Sequence, residues 1–83
     1  MHYTQNQKLE QVTEKTLVIG VDVGSESHHA RAFNYRGMEY SRKDFQFSNN
    51  GNGFEAFQEW MQSYEQMFGK EKVIVGFEPT GHY

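Results

Sequence analysis

The chain has 83 residues, 8 basic and 11 acidic, a formal net charge of −3, one proline and no cysteine. This length holds one small domain, and a disulfide or zinc–thiolate framework is excluded. The longest apolar run, around Leu17 and Val23, is broken by Gly20 and Asp22 and falls far short of the ~20 residues of a membrane span.

Residues 1–15 are mostly polar, without the apolar stretch of a secretory leader. They read as a flexible N-terminal arm. The folded part is expected over residues 16–83. Its first element, TLVIGVDV, is β-branched and nearly all apolar, which fits a strand buried on both faces. Gly24 and Ser25 break it. Residues 28–35 alternate, with Ala30, Ala32 and Asn34 on one side and His29, Arg31, Phe33 and Tyr35 on the other. Arg36 and Gly37 suit a two-residue hairpin turn. Residues 38–47 resume the alternation through Met38, Tyr40, Phe45 and Phe47, with an irregularity expected near Lys43 and Asp44.

SNNGNG, residues 48–53, is dense in turn formers. Phe54, Phe57, Trp60, Met61, Tyr64, Met67 and Phe68 then recur at three- and four-residue steps and share one helical face. Asn52 with Glu55 resembles a capping box, and Gly69 suits the C-terminal end. Trp60 is expected to be buried against a sheet. KVIVGF, residues 72–77, is a second short β run, and Pro79 stops it. The order β-β-β-α-β implies an α/β fold with a mixed sheet. A right-handed crossover would bring the last strand parallel to one of the first three. Beside the first strand, both apolar runs would occupy the sheet centre.

Asp22 sits in the most apolar segment, where an ionised carboxylate is costly unless paired. Glu78 ends the other apolar run. If those strands are parallel neighbours, both carboxylates emerge at the C-terminal edge of the sheet, where open α/β sheets place ligands. Two close carboxylates repel, and a divalent cation such as Mg²⁺ relieves the conflict. The plainer alternative is that Asp22 caps a turn and Glu78 is solvated. His28 and His29, adjacent on a strand, point to opposite faces, so one of them at most reaches a given site. His82, four residues past Glu78, could approach the same edge. Arg31, Arg36, Arg42 and Lys43, with Tyr35 and Tyr40, form a basic hairpin that either meets nucleic-acid backbone or is a charged edge.

Three stretches together, IGVDVGSESHHARAF, FSNNGNGFEAF and VGFEPTGHY, resemble the start of the DEDD transposases of bacterial insertion sequences. These are RuvC-like enzymes of the ribonuclease H superfamily, described as RNA-guided recombinases. The closing Glu-Pro-Thr-Gly-His-Tyr is the most specific part. The resemblance implies a ribonuclease H-like fold, truncated here. It makes Asp22 and Glu78 the first two carboxylates of a catalytic, metal-binding tetrad that uses Mg²⁺ or Mn²⁺. The other two aspartates, and a serine-bearing C-terminal domain, would lie beyond residue 83. It also implies DNA and a guide RNA as partners, a place in the bacterial cytoplasm, and no activity for these 83 residues alone. Asp-Val-Gly-Ser, residues 22–25, also resembles the phosphate loop of actin-like ATPases and sugar kinases. A third alternative is a non-enzymatic interaction domain using the hairpin and strand edges. The uncharged run from Val73 to Phe77 at a sheet edge predicts a homo-oligomer, and the lack of a long apolar run predicts no membrane partner.

Overall fold

The computed structural model describes residues 12–79. Four strands, β1 (Thr16–Val23), β2 (Ser27–Phe33), β3 (Phe45–Ser48) and β4 (Lys72–Pro79), and one helix, α1 (Gly51–Met67), follow in the order β-β-β-α-β. The sheet order is β3-β2-β1-β4. β1 pairs antiparallel with β2 and parallel with β4, so the fold is α/β with a mixed sheet.

The core lies on one face of the sheet, under α1. Leu17, Ile19, Val21, Ala30, Ala32 and Phe47 supply it from the strands and Phe57 from the helix. The helical face matches the spacing read from the sequence, but its burial is uneven. Phe57 is buried and stacks on Phe47 at 4.4 Å between ring centroids. Trp60, expected to be buried, is half-buried and stacks on Phe45 at 5.1 Å. β3 is the sheet edge here, so the indole lies over the rim of the core. Phe54, Met67 and Phe68 at the helix ends are exposed.

Several expectations are corrected. β1 is not buried on both faces: Val18 and Gly20 are half-buried and Asp22 is exposed. Of the expected arm over residues 1–15, residues 1–11 lie outside the described range, and the last four are described. Thr16 N–H donates to Thr13 O (2.9 Å), Lys70 Nζ donates to Glu14 O (2.7 Å), and Lys15 pairs with Glu71. This turn ties the start of β1 to the start of β4. The expected strand over residues 38–47 shrinks to four residues. Phe33 and Glu39 form an isolated bridge, and Ser41 Oγ then accepts the Ala32 N–H (3.1 Å). A side chain thus takes the place of a backbone acceptor, and the chain leaves the ladder through Arg42, Lys43 and Asp44. The hairpin turn is one residue longer than expected: Asn34 N–H donates to Met38 O and Gly37 N–H to Asn34 O, so Tyr35, Arg36 and Gly37 form the loop, with Gly37 at φ +89°.

The helix starts earlier than expected. Asn50, not Asn52, is the cap, its Oδ1 accepting the Gly53 N–H at 2.8 Å. Glu55 is therefore too far along to close a capping box. Gly53 packs so closely on the Ser48 backbone that a Cβ would collide with it. That approach joins helix to strand with only two residues between them. At the other end Gly69 has φ +63° and Lys70 N–H donates to Glu65 O, a Schellman closure.

Phe57→Ala is expected to cost roughly 3–5 kcal/mol, as large-to-small core changes do. A domain this small has little more to lose. Trp60→Ala should cost less. Urea denaturation followed by circular dichroism ranks the two, and a larger loss for Trp60→Ala would place the core centre at the rim instead.

Candidate functional site

The sheet face opposite α1 carries the polar groups. Alternation along β1 puts Val18, Gly20 and Asp22 there. Their β4 partners are Ile74, Gly76 and Glu78, and their β2 partners are Phe33, Arg31 and His29. The face is therefore built in three cross-strand levels. Val18, Ile74 and Phe33 make an apolar floor. Gly20 and Gly76 leave the middle bare except for Arg31. Glu78, Asp22 and His29 form a polar row at the C-terminal ends of β1 and β4. These levels line one open cavity of about 520 Å³.

Asp22 and Glu78 are direct partners in the parallel ladder and both are exposed. The sequence places them at one edge, and the structure has them there. The burial invoked for Asp22 is absent, because no described element covers this face. Both carboxylates are open to solvent on this face. Among the described residues, no group of three or more metal-ligating side chains converges.

The two adjacent histidines separate as alternation requires. His28 is buried on the helix side, against Phe47 and Phe54, and its Nδ1 accepts the Gly24 N–H at 3.2 Å. His29 lies on the open face beside Asp22, and its Nδ1–H donates to Asp44 Oδ2 at 2.7 Å. Nε2 is then its one uncommitted ring nitrogen. Sequence reasoning missed Asp44. No spacing signal could have found it, because its position depends on the chain leaving the ladder after Ser41.

The hydrogen bond from His29 holds the Asp44 carboxyl below its ordinary value of 3.8. The backbone N–H of Asp44 and the charges of His29 and Arg31 act in the same direction.

The basic residues do not form one patch. Arg31 lies on the open face and pairs with Glu39 at 3.3 Å. Arg36 sits at the hairpin tip with its guanidinium over the Tyr35 ring. Arg42 and Lys43 line a separate groove with Tyr40, Phe45, Trp60 and Tyr64. His82 lies outside the described residues, as do Thr80, Gly81 and Tyr83 of the closing motif. Comparison with protein-family models, with curated proteins and with solved structures finds no match for the chain. The geometry of the open face therefore carries the functional reading.

A carboxyl with a lowered pKa stabilises the fold above its unfolded value and loses that contribution as pH falls through the folded value. The His29–Asp44 link should thus hold at neutral pH and break only below pH 3.8. Carboxyl-carbon NMR should show an Asp44 midpoint under that value, and His29→Ala should move it upward. An unmoved midpoint would remove His29 as the cause.

Proposed function

We propose that this chain is the first part of a RuvC-like, ribonuclease H-like catalytic domain of a DNA transposase, with Asp22 and Glu78 as the first carboxylates of its metal centre. The observation that carries the reading is the pairing of Asp22 with Glu78 across the parallel β1–β4 ladder, on one open face. The element order and the sheet order β3-β2-β1-β4 are consistent with it. So is the resemblance of the β1 and β4 motifs to DEDD transposases.

The donor set suits a hard divalent cation, Mg²⁺ or Mn²⁺, since both groups offer carboxylate oxygens. Two carboxylates leave most of an octahedral shell to water, so the fit is to a weakly held ion. In two-metal sites such ions polarise a phosphodiester and stabilise the attacking and leaving oxygens. Asp22, on a central strand, would be the shared ligand, and Glu78 would close the side toward β4. Arg31, Arg36, Arg42 and Lys43 are the candidates for contact with DNA or a guide RNA. Neighbouring carboxylates repel phosphate, so backbone approach to the acid row requires a cation there.

The phosphate-loop alternative is disfavoured by one contact. Gly24 N–H, which such a loop would offer to a phosphate, is directed at His28 Nδ1.

Calorimetric titration with Mn²⁺ should give roughly millimolar binding, the weak end of oxygen-ligand sites. Asp22→Asn should abolish it without unfolding the chain, since Asp22 is exposed. Metal-dependent DNA cleavage should be undetectable with two of four expected carboxylates. Tight binding that survives Asp22→Asn would sink the assignment.

A further inference from the structure

We propose that the groove between α1 and the segment joining β2 to β3 holds an unpaired base of a single-stranded nucleic acid, with Arg42 and Lys43 taking the neighbouring phosphates. The groove lies on the helix side of the sheet, across from Asp22 and Glu78, so the proposal goes beyond the metal reading and does not rest on it. It encloses about 430 Å³, within the range of pockets that take a small ligand. Two stacked ring pairs line it, Tyr40 on Phe68 with centroids 3.9 Å apart and Phe45 on Trp60 at 5.1 Å. Tyr64 contacts both Trp60 and Phe68 and makes the rings one continuous wall. Tyr40, Phe45, Trp60 and Tyr64 pack against the core yet are only half-buried, so each ring is held in place and still reached by solvent. Rings fixed in this way accept a flat partner with little ordering cost.

The charge of the groove selects the partner. Arg42 and Lys43 reach it because the chain leaves the ladder after Ser41. Both are exposed, and neither forms an ion pair with another described residue. The other cations of the hairpin are engaged, Arg31 with Glu39 and Arg36 with the Tyr35 ring. Asp44, the one acid lining the groove, is bound to His29 Nδ1–H at 2.7 Å. On a chain of net charge −3 the groove thus carries two unspent cations beside open rings. Ring faces next to cations are how proteins hold single strands without reading their sequence. The Arg42 guanidinium also suits phosphate oxygens two at a time. A duplex offers phosphates but keeps its bases stacked inside, out of reach of the rings. An acidic peptide would satisfy Arg42 and Lys43 and leave the ring wall unused.

Trp60 is the single tryptophan of the chain, so its fluorescence reports the groove directly. A short oligothymidylate titrated into the full chain, in EDTA and at low salt, should quench it with a Kd of roughly 10⁻⁴ M or tighter. An oligouridylate should match it within about threefold, since stacking and phosphate contact do not read the sugar. An abasic oligomer of equal length should bind at least about fivefold more weakly. Tyr40→Leu, which keeps bulk and loses the ring, should weaken oligothymidylate by a similar factor, and Tyr40→Phe should bind as the parent does. Arg42→Ala and Lys43→Ala should each lower the slope of log K against log salt by about 0.7. Circular dichroism checks that each variant folds. Asp22→Asn should leave the quench unchanged, which separates this site from the metal reading. No quench, equal binding of the abasic oligomer, of a duplex or of polyglutamate, or a loss with Asp22→Asn would each overturn the proposal.

Discussion

The parallel pairing of β1 with β4 is the constraint on which the rest of the structure depends. Parallel strands cannot be joined by a tight turn; the chain must cross over one face of the sheet and return. Here the crossover carries α1, and the face it crosses becomes the core. The same pairing brings together Asp22 and Glu78, far apart in sequence, and makes β4 the outermost strand among the described residues. Without that ladder the helix would have no central strands to cover, and the two carboxylates would have no common location. The turn at residues 13–16, with the Lys15–Glu71 pair and the Lys70 Nζ bond to Glu14 O, anchors both strands at their starts. The ladder then runs in register to Val23 and Pro79.

The two faces of the sheet divide the labour. Aromatic stacking dominates the covered face, from Phe54 through Phe47, Phe57, Trp60 and Tyr64 to Phe68. That concentration of rings compensates for a low apolar content, since each ring buries more area than an aliphatic side chain. The open face is polar at one end and apolar at the other. His29 and Asp44 extend the polar row away from β4, fixing the imidazole orientation beside Asp22 as a carboxylate partner does for histidines in many sites.

Most of the fold was legible because its signals are local. The apolar run of β1, the three-and-four spacing from Phe54 to Phe68, and Gly37 and Gly69 each announce a structure that short-range sterics enforce. The pairing of Asp22 with Glu78 followed from one topological rule applied to two strands. What could not be read depends on competition between equivalent groups. Asn50 and Asn52 are both good caps, and the choice falls to Gly53, whose missing Cβ lets the helix approach Ser48. Ser41 displaces a backbone acceptor, and nothing in the alternation of residues 38–47 signals it. The exposure of Asp22 was hidden for a different reason: an apolar strand shows that one face is covered, not that both are.

Gly20 and Gly76 stand side by side in the middle of the two longest strands. Glycine is the poorest residue for holding an extended strand, and here two occupy the same cross-section. The Phe33 ring leans over Gly20, whereas the space above Gly76 is empty. The open face therefore has a shallow notch between its apolar and acidic ends. At that level Arg31 is the one side chain on the open face, and its guanidinium is turned to Glu39, so the backbone of β4 at Gly76 is left open there.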